Sequence, residues 1–186
     1  GGGQCADRGE IIGKALRVKI ANSQKLFGVV LHFLEKKSDV AKFAPKEKVK
    51  LILDRRRRDI ISTHHTATHV MIASCRKALG WHVWQCGSRK DEDEAHVDIT
   101  HYEKPGREKI AEIERIANSV VRQALPVTWE FADRGKAEKE HGFRLYQGGG
   151  AIGKTIRVVS IKGFDYEACG GTHRRNTSEL GLVKIT

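Results

Sequence analysis

Two short motifs combine residue types and spacings that could hold a metal ion. His65 and His69 lie four residues apart, and on a helix that spacing points both side chains to one face. Cys169 and His173 are also four residues apart, and the two glycines between them let the backbone turn tightly enough for both side chains to face one point. A thiolate combined with imidazoles favours zinc among the common ions. The sequence therefore offers four candidate ligands for one zinc ion per chain.

Each motif also has a purely structural interpretation. A histidine pair at this spacing is more often a pair of hydrogen-bonded core or surface side chains than a metal site. Four protein ligands would favour a closed structural zinc, and whether His173 binds decides if a position stays open for water. The sequence leaves this choice open. A zincin protease is disfavoured, because no glutamate follows His65 to act as the general base.

A third motif resembles an ATP-binding loop. Residues Gly148–Thr155 match the pattern G-x-x-x-x-G-K-T. That chemistry needs a helix amino terminus after the Lys-Thr pair to hold phosphate. The run Thr155–Ile161 is rich in β-branched residues and predicts a strand instead. We therefore expect a flexible or tightly turning loop, and no ATP.

Charge indicates a polyanionic partner. The chain has 34 basic and 23 acidic residues, a net charge of +11, and residues 1–60 hold 15 basic and 7 acidic residues. Within them, Arg55, Arg56, Arg57 and Arg58 form a basic run between Asp54 and Asp59. The run could contact nucleic-acid phosphates, or it could be a solvated turn, and the two interpretations have equal weight.

Cysteine usage and hydropathy narrow the class of protein. Of the four cysteines, no two form a C-x-x-C pair, which favours reduced thiols in a cytosolic protein over disulfides. No apolar stretch approaches the roughly 20 residues that a membrane span needs, so we expect no membrane partner.

The elements that must position these residues change character near residue 60. Short alternating segments within residues 10–53 predict strands of a small β-barrel. From residue 61 the pattern predicts α/β structure, with the His65 motif on a helix over 62–79, capped by Ser62 or Thr63 and ended by Gly80. Further helices are predicted over 106–124 and 133–140, and strands over 81–86, 95–100, 127–132, 155–161 and 182–185. The predicted fold class is α+β: a basic β-barrel at 1–58 and a zinc-containing two-layer α/β domain at 59–186.

Taken in order, the motifs resemble a known family. The editing domain of alanyl-tRNA synthetases has the same succession of motifs, here Gly1–Gln4 with Asp7 and Gly9, His65–His69, Trp81–Ser88 with Gln85, and Ala168–His173. The free-standing alanyl-tRNA editing proteins of the AlaX type share it. Residues Tyr146–Gly150 followed by Arg157–Val159 are most similar to the archaeal-type synthetase.

The resemblance implies a fold and a function. It implies a small β-barrel followed by an α/β domain shared with threonyl-tRNA synthetases. It also implies zinc held by residues matching His65, His69, Cys169 and His173, and hydrolysis of tRNA(Ala) wrongly charged with serine or glycine. The partner would be the acceptor end of tRNA(Ala), with the rest of a synthetase chain missing. The alternatives are a zinc-stabilised tRNA-binding module without hydrolysis and a free-standing editing protein.

The same resemblance suggests roles at the substrate. It implies that Gly2, Gly3 and Gln4 contact the substrate, and that the chain begins inside the glycine-rich motif, with the preceding strands missing. The Thr68 hydroxyl, one residue before His69, could hydrogen-bond the serine side chain, or instead its own helix backbone four residues back. Gln85 could act catalytically by orienting water or the ester carbonyl, or it could be an exposed strand residue.

Overall fold

The computed structural model describes residues 3–14, 16–147 and 153–186. The chain forms two compact units, one of residues Cys5–Ile60 and one of Gly1–Gln4 with Ile61–Thr186. Each unit has its own buried apolar cluster.

The unit of residues 5–60 contains one antiparallel sheet. Its strands lie in the order β3-β2-β1-β4, and they are β1 (Gly9–Ile12), β2 (Arg17–Leu26), β3 (Val29–Leu34) and β4 (Lys50–Leu53). Ile11, Val18 and Ile20 form its small core. The predicted strands are confirmed, but in the part of the chain that the structure describes the sheet has two open edges, so the predicted small β-barrel is not closed. Four strands, three of them short, are too few to close around a filled interior.

Helix α1 (Arg55–Leu79) carries the His65 motif and begins seven residues before the predicted start. Asp54, rather than Ser62 or Thr63, supplies the first hydrogen bond, because its Oδ1 accepts from the Arg57 amide at 3.0 Å. Arginine is a good helix former, so the basic run is a first helical turn and not a loop. The predicted end at Gly80 is confirmed, and its positive φ of 116° favours glycine.

The other unit adds two helices and five strands. Strands β5 (Gln85–Lys90) and β6 (Ala95–Ile99) pair as a hairpin. Helix α2 (Arg107–Arg122) precedes β7 (Val127–Asp133), and α3 (Arg134–His141) follows it. Strands β8 (Thr155–Ile161) and β9 (Asp165–Ala168) complete an antiparallel sheet in the order β7-β8-β9.

Helices α1 and α2 cover the β7-β8-β9 sheet. The buried cluster joins both helices to β7 and β8, and its members are Val70, Ala117, Val120, Val127, Val159 and Ile161. The mixed α and β fold class with antiparallel sheets is therefore confirmed. This packing holds α1 over the sheet on which β9 leads into Cys169.

The predicted strand at 182–185 is wrong. The Leu-Val-Lys-Ile alternation is present, but side chains of α2 bond this backbone instead of a neighbouring strand. Asn118 accepts from the Val183 amide at 3.0 Å and donates to its carbonyl at 2.8 Å, and Glu114 accepts from the Ile185 amide at 2.7 Å. Among the described residues, no helix is both long and apolar enough to cross a bilayer.

Candidate metal centre

The four candidate ligands lie together in the structure. His65 and His69 occupy successive turns of α1, with ring centroids 5.4 Å apart. Cys169 and His173 come from the loop after β9, and the His173 ring lies 4.4 Å from that of His65 and 4.6 Å from that of His69. One ligand atom from each side chain falls within 4.8 Å of all the others.

The donor geometry fits a tetrahedral zinc. Cys169 Sγ lies 3.4 Å from His65 Nε2 and 3.4 Å from His173 Nε2. Zinc bonds of about 2.3 Å to sulfur and 2.0–2.1 Å to nitrogen, at tetrahedral angles, would separate these atoms by about 3.6 Å. The side chains thus stand close to the spacing that a bound ion would need.

In each of the three histidines, the Nδ1 atom faces a side-chain oxygen. The pairs are Gln4 Oε1 at 2.8 Å from His65 Nδ1, Thr66 Oγ1 at 3.3 Å from His173 Nδ1, and Glu167 Oε2 at 3.1 Å from His69 Nδ1. In metal sites such partners fix the tautomer and the orientation of the ring. Here they leave the Nε2 atoms free to face the centre.

The chain start also supports the centre. The Gln4 side chain accepts from the Thr172 amide at 2.9 Å and donates to the Thr172 hydroxyl at 2.9 Å. Gly171 is required, because a Cβ there would lie 2.1 Å from His65 Cε1. Gly3 has a φ of 72° and accepts from the Lys90 amide at 2.9 Å. Of the residues expected at the substrate, Gly2 lies outside the described residues, whereas Gln4 touches His65 and Thr172.

The electrostatics of three of the four candidate ligands favour the protonation states that bind zinc. Burial on its own would raise the pKa of the Cys169 thiol, but hydrogen bonds from the surrounding histidines lower it to about 2. Burial lowers the pKa of His65, and it lowers that of His173 to about 3. A thiolate beside neutral imidazoles is the ligand state that zinc takes.

A buried carboxylate pair that the sequence motifs did not indicate lies behind His69. Asp165 Oδ2 is 3.5 Å from His69 Nδ1, and Glu167 Oε2 is 3.1 Å from the same atom. Burial raises the pKa of Glu167 well above its ordinary value. Although burial lowers the pKa of His69, the charge of Glu167 and the nearby Asp165 carboxylate raise it overall. Acidic residues at alternate positions just before Cys169 were the available signal.

The two predicted reaction residues differ in their surroundings. Thr68 is buried, and its hydroxyl donates to the His64 carbonyl at 2.9 Å, which is the backbone bond of the structural interpretation. Gln85 is buried on β5 rather than exposed, and its Nε2 donates to Ser88 Oγ at 3.2 Å. Lys90, another residue that the sequence motifs did not indicate, is 1% exposed and donates to Ser88 Oγ at 2.6 Å. Burial lowers the Lys90 pKa.

The arginine run Arg55–Arg58 divides into two halves. Its first two side chains are exposed. Arg57 is buried and donates to the Ala6 carbonyl at 3.2 Å, and Arg58 forms an ion pair with Asp7. Only the first half is therefore open to a large anionic partner.

Two further expectations concern loops and thiols. Residues 148–152 of the ATP-loop lookalike lie outside the described residues, but β8 begins at Thr155, so the strand predicted after the Lys-Thr pair is confirmed. None of the four cysteines forms a disulfide, in line with their spacing, and Cys75 is buried whereas Cys86 is exposed.

Comparison with known proteins agrees with the motifs. Residues 156–186 match the threonyl and alanyl tRNA synthetase second additional domain. Alanine–tRNA ligases of Methanococcus vannielii, Methanopyrus kandleri and Archaeoglobus fulgidus are 47%, 45% and 44% identical over 185, 187 and 184 residues. The alignments cover 99–100% of this chain and 20% of each ligase, so the chain spans about a fifth of these relatives. The chain is therefore related over its whole length to a segment of archaeal alanine–tRNA ligases, which confirms the family resemblance drawn from its motifs.

Proposed function

We propose that this chain is the editing part of an alanine–tRNA ligase, hydrolysing the ester of seryl- or glycyl-tRNA(Ala) in the cytoplasm. The observation that carries the proposal is the cluster of Cys169 with three histidines, in a chain whose relatives are alanine–tRNA ligases. The fit of these four donors to zinc supports one zinc ion per chain as the cofactor.

Editing answers a physical limit on amino-acid selection. A pocket that accepts alanine cannot exclude glycine, which is smaller. It also rejects serine only weakly, because serine merely adds a hydroxyl. A second site that removes the wrong amino acid restores accuracy, and it must read a side chain at the end of a large polyanion.

Different side chains are proposed for catalysis and for substrate recognition. When bound, zinc supplies Lewis-acid chemistry, which lowers the pKa of water or polarises a carbonyl. Gln85 is the proposed catalytic residue, because its buried amide can orient the ester carbonyl or the attacking water. Thr68 is proposed to read the serine hydroxyl with the lone pairs that its bond to His64 leaves open. Gly3 and Gln4 are proposed to line the same substrate site.

The basic surface of residues 1–60 is proposed to bind the tRNA. Residues 1–60 carry 15 basic residues against 7 acidic ones. Arg55 and Arg56 are exposed, so they can approach phosphates of the acceptor end, whereas Arg57 and Arg58 serve local contacts. Electrostatic contact of this kind gives affinity without sequence specificity.

A second function has a specific observation in its favour. The Cys169 cluster can complete a tetrahedron with protein atoms alone, which is typical of structural zinc. The chain would then be a zinc-stabilised tRNA-binding module. A free-standing editing protein would have the same chemistry. It would differ only in not being part of a longer synthetase chain.

Release of serine from seryl-tRNA(Ala) by the purified chain tests the proposal, with alanyl-tRNA(Ala) as the control substrate. We expect hydrolysis of the seryl ester by wild type and by Cys86→Ala, whose side chain is exposed, and loss of both zinc and activity in Cys169→Ala. A zinc-loaded wild type that binds tRNA without releasing serine would establish the binding module instead.

A further inference from the structure

A cavity of about 280 Å³ opens beside the carboxyl end of α1. Its walls come from that end of α1, from the residues around α3 and from the turn between β8 and β9. Its lining includes Arg76, Lys77, Trp81, Arg144, Asp165 and Tyr166. None of them is one of the four candidate zinc ligands of the Cys169 cluster, although Asp165 also lies beside His69. The proposed editing reaction does not use the cavity.

The inner wall holds an arginine with a spare donor. Arg76 is 7% exposed, its Nε donates to the Val83 carbonyl at 3.2 Å, and its Nη1 lies 3.6 Å from Asp165 Oδ1. In the part of the chain that the structure describes, Arg76 Nη2 has no hydrogen-bond partner. A buried charged donor without a partner is costly, so the Arg76 guanidinium, which lines the cavity, is suited to an acceptor bound there.

Two more cations stand at the rim. Lys77 Nζ lies 4.5 Å from the centre of the Phe164 ring, and Arg144 Cζ lies 4.2 Å from the centre of the Trp81 ring. Both side chains are exposed and can turn inward without losing an ion pair with any of the described residues. With Arg76 they give three positive groups, and guanidinium forks match phosphate oxygens well.

The acidic residues of the lining do not cancel this attraction. Asp165 lies between two basic partners, 3.6 Å from Arg76 Nη1 and 3.5 Å from His69 Nδ1. The Glu140 carboxylate is largely exposed at the rim, so water screens its charge.

The rim also offers aromatic surface. Trp81 is 69% exposed, and the Tyr166 ring stacks on His141 with centroids 4.3 Å apart. A nucleic-acid base can stack on such rings whatever its sequence. Phosphate-binding cations beside an exposed indole are the combination that recognises a nucleotide.

We propose that this cavity binds a nucleoside monophosphate unit, with its phosphate on Arg76, Lys77 and Arg144 and its base against Trp81. The unit is either a free nucleotide or one residue of an unpaired RNA strand, since both present the same phosphate and base. The proposal does not rest on the editing function, because binding here is measured without hydrolysis.

Calorimetric titration of the chain with AMP, adenosine, inorganic phosphate and a short unpaired RNA oligonucleotide tests the proposal. We expect AMP to bind with one site per chain, and more tightly than adenosine or phosphate alone. Arg144→Ala and Lys77→Ala should each weaken AMP binding about tenfold. The matched variants Arg122→Ala and Lys136→Ala, which change exposed basic residues outside the cavity, should bind AMP like wild type.

The outcomes separate specific binding from general attraction to a basic protein. Absence of binding by both AMP and the oligonucleotide, or equal weakening in the control variants, would overturn the proposal. The proposal would also be overturned if adenosine or phosphate bound as tightly as AMP. If the oligonucleotide binds more tightly than AMP and depends on Arg144, the unit belongs to an RNA strand, and otherwise it is a free nucleotide.

Discussion

At the scale of single residues, the candidate centre depends on oxygens that hold the histidine rings as much as on the ligands. Glu167 is buried behind His69, with Oε2 3.1 Å from Nδ1. The types and spacing of the four candidate ligands were enough to predict them. The alternate acidic residues before Cys169 were a signal for Glu167, but the contacts of Glu167 and Gln4 with the histidine rings were not predictable, because they arise only when β9 and residues 3–4 pack against α1.

Glu167→Gln should weaken zinc binding about 10–100-fold, the usual effect of altering a group that orients a metal-binding histidine. The amide keeps the size of the side chain but loses the charge that faces His69. Competition with a chromophoric chelator measures the affinity. Glu130→Gln, an exposed change on β7, is the control. Equal affinities of the Glu167 variant and wild type would remove this carboxylate from the centre.

Thr68→Val should reduce the preference for the seryl over the alanyl ester by about 1–2 kcal/mol, the scale of one hydrogen bond. Valine keeps the shape but has no lone pair for the serine hydroxyl. Single-turnover deacylation of both esters measures the ratio, and Thr68→Ser, which retains the hydroxyl, should stay close to wild type. A ratio unchanged in the valine variant would assign Thr68 only its bond to the His64 carbonyl.

At the scale of elements, the sequence predicted those helices and strands whose structure follows from their own apolar periodicity. Strands β7 and β8 and helix α2 follow their apolar periodicity. Strand β9 was missed because its four residues, Asp-Tyr-Glu-Ala, lack β-branched side chains and owe their pairing to β8. The strand prediction at 182–185 failed for the opposite reason. The sequence alternates as in a strand, but side chains of α2 form the hydrogen bonds to its backbone.

The first turn of α1 allows a test of RNA contact within one element. Replacing Arg55 and Arg56 with alanine should weaken tRNA binding and flatten its salt dependence by about one unit of slope for each lost phosphate contact. Both side chains are exposed, so folding should not change. Filter binding over a range of salt concentrations measures the slope, with Lys136→Ala on α3 as the control. A slope equal to that of wild type would make this turn merely solvated.

At the scale of the whole molecule, charge and apolar surface are unevenly distributed. Residues 5–60 expose many large apolar side chains on and near β3, among them Phe27, Val29, Val30, Leu31 and Phe33. Strand β3 is also an edge of its sheet, and exposed apolar edges promote pairing between molecules. The net charge of +11 opposes such association, and salt screens that repulsion.

We therefore expect the chain to self-associate through β3 as salt and protein concentration rise. Val30→Lys with Leu31→Lys should keep it monomeric, because charged side chains on an edge strand disfavour pairing. Sedimentation velocity measures the association. Zinc content should not change, since the candidate ligands all belong to the other unit. Leu182→Lys is the matched control, an exposed leucine outside the strands. Association that persists in the β3 variant, or that Leu182→Lys abolishes equally, would show that β3 is not the contact.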